Sequence, residues 1–316
     1  MLDNHNLLEV EGLTKSYGKL MAVDHISFTV KRGEVFGLLG PNGAGKTTAI
    51  SMLCGLLKPD SGKVSIDNIA LSKNYNKAKS IVGLCPQNIV IWELLTCMEQ
   101  LVFSGVSYGM TRRQAKESSE FLLGKLGLID QKNKLAKALS GGMQRRLNIA
   151  LALVHDPKLI ILDEPQAGLD PQSRILVRDF VRELSKDKTV ILTTHDMDEA
   201  DRLSDRVAIV DHGKFLIIDT PERIKNASGS GDILQIRVNG LNDRKISDFV
   251  SGLSFESRDV SYADGLLYIS AQDIVRLVPE ISEVIESQDM TIQDMTIRKR
   301  TLEDAFIAMT GRGLRE

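Results

Sequence analysis

The stretch that most constrains this chain is Gly40-Pro41-Asn42-Gly43-Ala44-Gly45-Lys46-Thr47. It follows the apolar, strand-like run Val35-Phe36-Gly37-Leu38-Leu39 and precedes a helical run from Thr48 to Cys54. The spacing is that of a phosphate-binding loop between a strand and a helix. Glycines at 40, 43 and 45 admit unusual dihedrals and aim successive backbone N–H groups at phosphate oxygens, and the helix N-terminus adds its dipole. Lys46 supplies a point charge, and the Thr47 hydroxyl suits magnesium. A chance glycine-rich turn would not sit between these two elements. Alone, the loop implies a nucleoside triphosphate and leaves kinases, GTPases and many ATPases open.

Asp163 ends the apolar run Leu159-Ile160-Ile161-Leu162. Open α/β sheets bind ligands at that end of their strands, so its carboxylate is placed to reach the same magnesium. Glu164 follows directly, where a second acid can take a proton from an attacking water and so separate a hydrolase from a binding protein. Without the loop upstream, Asp163-Glu164-Pro165 would read as a solvated turn.

The 316 residues exceed what one core usually supports, so two domains are expected. The first reads as an α/β domain on a largely parallel sheet, with Val35 to Leu39, Leu159 to Leu162 and Thr189 to Thr193 as central strands. A helix carrying Leu176, Val177, Phe180, Val181 and Leu184 on one face precedes the last of these. From about Trp92 to His155 the pattern is helical, an insertion into the sheet domain. A flexible joint is expected at Ser228-Gly229-Ser230-Gly231. Beyond it, alternation at Leu234, Ile236 and Val238 marks a strand, and Val260 to Tyr262 and Leu266 to Ile269 flank an Asp264-Gly265 turn. Helices near Asn242 to Val250 and Gln272 to Glu286, a strand near Met290 to Arg298 and a last helix complete a β-α-β-β-α-β-α order, which suggests a ferredoxin-like sandwich. The domains expected are 1–225, with a helical subdomain at about 92–155, and 226–316.

Charged residues make up 26% of the chain and the net charge is −2, which gives no push toward nucleic acid. Cys54, Cys85 and Cys97 are odd in number and lack metal-ligand spacing, which suits reduced thiols. The apolar runs fall far short of the ~20 residues of a membrane-spanning helix, and the polar start Met1-Leu2-Asp3-Asn4-His5 is not that of a signal peptide.

Leu139-Ser140-Gly141-Gly142-Met143-Gln144 opens a helix with Leu147, Ala150, Leu151 and Val154 as its expected buried stripe and Ser140 as its N-cap. Paired glycines weaken a helix by about 1 kcal/mol each if helical, but leave bare N–H groups at its positive end, a second anion site. Leu-Ser-Gly-Gly about twenty residues before Asp163 resembles the signature motif of ABC ATPases. Six motifs of that family occur in order over about residues 7 to 220.

The resemblance implies an α/β P-loop ABC ATPase cassette with an inserted helical subdomain, plus a small C-terminal α+β domain. It implies that ATP is bound by Tyr17, stacked on adenine, and by Gly40, Pro41, Asn42, Gly43, Ala44, Gly45, Lys46, Thr47 and Thr48. Magnesium would be held by Thr47, Gln87 and Asp163. Glu164, Gln87 and His195, the last resembling the switch histidine that contacts the γ-phosphate, would carry catalysis. Ala167-Gly168-Leu169-Asp170 resembles the loop that crosses a dimer interface. Ser140, Gly141, Gly142 and Asp170 would act in trans, completing the ATP site of a second ABC ATPase subunit, in a homodimer. Closure would pass through the helical subdomain, hinged near Gln87, to an integral membrane permease, with the chain peripheral on the cytoplasmic face of the cell membrane. Gln166 departs from the pattern, which commonly has a small polar residue there, often threonine.

Met197-Asp198-Glu199-Ala200-Asp201-Arg202-Leu203, Asp205-Arg206, Asp211-His212-Gly213 and the ending Thr301-Leu302-Glu303-Asp304-Ala305-Phe306 with Thr310-Gly311-Arg312 are similar to the daunorubicin-resistance class of exporter ATPases. Thr301 and Asp304 also suit a capping box for the final helix. An exporter motor ranks first, then an importer motor, then an ABC ATPase acting on ribosomes or DNA. The last usually has two cassettes or a long coiled coil, and this chain shows neither. A binding-only regulator is opposed by Glu164.

Overall fold

The computed structural model describes residues 6–227, 229, 231–240, 249–253, 259–263, 265–271 and 273–310. Met1 to His5, Ser228 and Ser230 of the expected joint, most of the helix expected at Asn242 to Val250, Asp264, Gln272 and Gly311-Arg312 lie outside those residues. The chain packs as two compact units, Met1–Pro221 and Glu222–Leu314.

In the first unit the strands are β1 (Asn6–Tyr17), β2 (Leu20–Lys31), β3 (Val35–Leu39), β4 (Ser61–Ile66), β5 (Ile69–Ala70), β6 (Val82–Cys85), β7 (Leu159–Asp163), β8 (Thr189–Thr194), β9 (Arg206–Asp211) and β10 (Lys214–Asp219). Its helices are α1 (Lys46–Leu53), α2 (Tyr75–Lys79), α3 (Cys97–Ser107), α4 (Arg112–Lys125), α5 (Gly141–Leu153), α6 (Pro171–Leu184) and α7 (Met197–Leu203), and α8 (Pro221–Ala227) begins at the division. The main sheet runs β10-β9-β3-β8-β7-β6, parallel except for β10. Strands β3, β7 and β8 are buried at every residue because both faces are covered, which is why they read as unbroken apolar runs.

Side chains alternate between the faces of that sheet. Ile160, Leu162, Val190 and Leu192 enter a core with α3 to α6, while Leu159, Ile161, Phe36, Leu38 and Ile191 enter one with α1. The second core is closed by an antiparallel sheet of order β2-β1-β4-β5, which the sequence reading did not single out. Its half-buried strands alternate: Leu8 and Val10 face in and Glu9 and Glu11 do not. Ile26, Phe28 and Val30 are likewise buried between exposed neighbours.

The helical insertion begins with two capping boxes, Thr96 with Glu99 on α3 and Thr111 with Gln114 on α4. Ser140 caps α5, accepting from the Met143 N–H. Leu147, Ala150 and Val154 are fully buried as the stripe requires, and Leu151 is partly so. Arg145, Asn148, Ile149, Ala152 and Leu153 are buried too, so α5 is enclosed nearly all round rather than along one face.

The second unit contains β11 (Asp232–Asn239), β12 (Asp259–Ala263), β13 (Leu266–Ala271), α9 (Ile274–Ser287), β14 (Thr291–Arg298) and α10 (Leu302–Thr310). Its antiparallel sheet runs β12-β13-β11-β14. β13 lies between β11 and β12, the split arrangement of a ferredoxin-like sandwich. Ile274, Ile281 and Ile285 of α9 pack on Leu234, Ile236, Leu267, Ile269 and Phe249. Thr301 and Asp304 form the reciprocal cap: Asp304 N–H donates to the Thr301 hydroxyl at 3.3 Å, and Thr301 N–H donates to Asp304 Oδ2 at 2.8 Å. Arg298 clamps the same carboxylate at 2.7 and 2.8 Å. Burial raises the Asp304 carboxyl, but Arg298 and Thr301 outweigh it and hold it below its ordinary value.

Candidate active site

Parallel register fixes where the site forms. Leu39 pairs with Thr194 and Asp163 with Thr193, so β3, β7 and β8 release their following residues at one edge of the sheet. The phosphate loop leaves β3 there. Gly45 caps α1 with φ 100°, and a Cβ on it would lie 2.1 Å from the Ala22 carbonyl oxygen, so no side chain fits. The loop is braced by Gly213 N–H donating to Ala44 O at 3.0 Å and Gly40 N–H to Thr194 O at 3.4 Å. Lys46, 5% exposed, donates through Nζ to the loop's own carbonyls, Gly40 O at 2.7 Å and Pro41 O at 2.9 Å. Burial lowers its pKa, and the acidic Glu164 and Asp163 oppose that shift.

The Thr47 hydroxyl donates to Asp163 Oδ2 at 3.2 Å, and Thr193 donates to Asp163 Oδ1. Glu164 has a left-handed backbone, φ 49°, uncommon for a residue with a side chain. Its N–H donates to Thr193 O at 3.1 Å and Oγ1 at 3.0 Å. That turn aims a carboxylate only 7% exposed between two partners: Gln87 Nε2 donates to Oε2 at 3.2 Å, and His195 Nδ1 lies 3.1 Å from Oε1. The oxygen-rich set of Thr47, Asp163 and Gln87 has the hard-ligand chemistry that magnesium selects.

Beneath the acids lies Arg145, 2% exposed. Its guanidinium donates to Asp163 O at 2.6 Å, Glu164 O at 2.7 Å, Pro165 O at 3.3 Å, Pro86 O at 2.6 Å and Gln87 O at 2.9 Å. It ties the segment bearing Gln87 to the segment bearing both acids. Sequence reasoning missed it; the available signal was a cation directly before the apolar positions of α5.

A cavity of about 450 Å³ is lined by Asn42, Gly43, Gly45, Lys46, Thr47, Thr48, Gln87 and Glu164, together with Tyr17, Leu20, Met21, Ala22 and His212. Tyr17 is half exposed, so a planar ring can lie on it. Leu20, Met21, Ala22 and His212 were not anticipated. Asp163 and His195 do not line the cavity but bond to groups that do. Ser140, Gly141, Gly142 and Asp170 do not line it either. They lie together elsewhere: a Cβ on Gly142 would be 3.3 Å from Asp170 Oδ2 and 3.2 Å from Ser173 Oγ. Asp170 caps α6, accepting from Ser173 N–H at 2.9 Å. The buried Nε2 of Gln166 has no hydrogen-bond partner among the described residues.

The family profile described as ABC transporter matches residues 23–167. The linearmycin resistance ATP-binding protein LnrL of Bacillus subtilis is 37% identical over 311 residues, covering 98% of this chain and 100% of that one. The daunorubicin/doxorubicin resistance ATP-binding protein DrrA of Streptomyces peucetius is 34% identical over 309 residues, 96% of this chain and 92% of that one. Among solved structures, a dimeric ATP-binding cassette in a post-hydrolysis state with ADP and phosphate superimposes with a TM-score of 0.62 at 26% identity, covering 67% of this chain and 98% of that one. The chain belongs to the ABC transporter family, as an ATP-binding, ATP-hydrolysing subunit resembling the daunorubicin-resistance class.

Proposed function

We propose that this chain is the motor of an exporter, and that Glu164 is the general base of its ATP hydrolysis. The observation that carries the reading is the Glu164 carboxylate, in the wall of the phosphate-loop cavity between Gln87 and His195. From there it can accept a proton from a water attacking the γ-phosphate. Gly40 to Thr48 bind the phosphates, with Lys46 exchanging its bonds to Gly40 O and Pro41 O for phosphate oxygens. Tyr17 stacks on adenine. His195 contacts the γ-phosphate and keeps Glu164 aligned. Thr47, Asp163 and Gln87 would hold magnesium, which would supply positive charge to neutralise the phosphate oxygens.

Ser140, Gly141, Gly142 and Asp170 lie outside their own chain's cavity, and we assign them to the ATP site of a second copy, with ATP held between the two. Two relatives are named for resistance to a compound, which supports an exporter reading. Passage belongs to a separate membrane permease. An apolar groove of about 290 Å³ lined by Leu56, Pro86, Val90, Trp92 and Tyr108 suits a cytoplasmic segment of that permease, which supports a peripheral position at the cytoplasmic face of the membrane.

Glu164→Gln tests the base directly. The variant is expected to bind ATP as the native chain does while kcat falls by roughly 10²-fold or more. Turnover at the native rate would remove Glu164 from that role.

A further inference from the structure

Glu199 takes no part in the arrangement above, yet its side chain is 8% exposed, unusual for an acid. Its Oε2 accepts from the Thr194 hydroxyl at 2.6 Å. The same Thr194 oxygen accepts from the Asp196 N–H at 2.9 Å, and Asp196 Oδ1 accepts from the Glu199 N–H at 3.1 Å. The three bonds close a ring over residues 194–199, and His195 lies between two of its members. Thr194, itself buried, is also where the phosphate loop touches β8, through Gly40 N–H. Glu199 Oε1 is buried with no hydrogen-bond partner among the described residues. Burial pushes the carboxyl up to about 7; the Thr194 hydroxyl and Arg174 oppose that rise, and Asp196 and Glu164 add to it.

We infer that Glu199 is a positioning residue for ATP hydrolysis: through Thr194 and Asp196 it fixes the turn that presents His195 to Glu164. The inference rests on the proposed role of His195. A ring that only stabilised the fold would not need its acceptor beside the histidine, nor a bond to the turn from each side of it. Without the Glu199 carboxyl, the buried Thr194 hydroxyl loses its acceptor, and a rotamer change that finds another would carry Oγ1 away from the Asp196 N–H as well.

The test is a kinetic cycle on the full chain, with ATP affinity measured separately by a fluorescent ATP analogue. Glu199→Ala is expected to lower kcat roughly tenfold or more while ATP affinity stays within about twofold, since misplacing a group slows chemistry more than binding. Glu199→Gln keeps an acceptor for Thr194 and should restore most of the rate. His195→Ala should be slow, and adding Glu199→Ala to it should cause no further loss, because Glu199 acts through His195. Should Glu199→Ala not fold, Thr194→Val against Thr194→Ser makes the same comparison. An equal additional loss on the His195→Ala background, or no rescue by Gln, overturns the inference. A native rate in Glu199→Ala with a slow His195→Ala overturns it alone; a native rate in His195→Ala overturns the role of the histidine as well.

Discussion

Buried acids in this site are held by different means. Glu164 has a partner for each oxygen, Gln87 and His195, and its left-handed backbone is fixed by two bonds to Thr193. Glu199 has one hydroxyl for one oxygen and nothing for the other. Its folded pKa, raised to about 7 from an ordinary 4.5, makes the neutral acid the form the fold prefers. The contribution to stability is therefore fully present below about pH 4.5 and is lost as pH rises through 7, each pH unit between those values removing about 1.4 kcal/mol. Between pH 5 and 8 the melting temperature of the native chain should fall relative to Glu199→Gln, by an amount worth a few kcal/mol. Parallel melting curves would show that Glu199 is not neutral when folded. Lys46, Thr47, Asp163 and Glu164 were legible in the sequence because phosphate chemistry demands those types at those spacings. Glu199 was not: within Asp198-Glu199-Ala200-Asp201 an acid reads as part of a solvated face, and only the return of α7 beneath β8 buries it.

Among the elements, α5 joins the two ends of the cassette. Its N-terminus carries Ser140, Gly141 and Gly142, and its second turn carries Arg145 into the backbone beneath the acids. A buried guanidinium is stable only when its donors are matched, and five carbonyl groups match it. Arg145→Met leaves those carbonyls without their donor, so chemical denaturation should show a loss of about 3–5 kcal/mol. Turnover should fall as Gln87 and Glu164 lose their common support. An unchanged denaturation midpoint would contradict the bracing role. The sequence pattern located α5 and its Leu147, Ala150 and Val154, but the remaining buried face depends on β6 and the neighbouring helices and leaves no periodic trace. The antiparallel sheet left its trace in the alternation of Leu8, Val10 and Ile26, Phe28, Val30, but register shifts between β1 and β2 interrupt that alternation.

At the scale of the whole molecule, each unit has its own hydrophobic core, the second centred on Phe249, Leu267, Ile269 and Ile281. Among the described residues no helix is long and apolar enough to cross a membrane. Under the proposed function the work of ATP passes to a membrane permease, with the groove lined by Pro86, Val90 and Trp92 as the docking surface. The motifs made the cassette legible, and its cargo was not, because the motifs report the chemistry of ATP alone. The decisive measurement is recovery of the Glu164→Gln chain from its native membranes in mild detergent with ATP and magnesium. Two copies of the chain together with a multi-span membrane protein is the expected result; a closed dimer bound to ribosomes or DNA, with no membrane protein, would contradict the transport role and leave the ATPase chemistry standing.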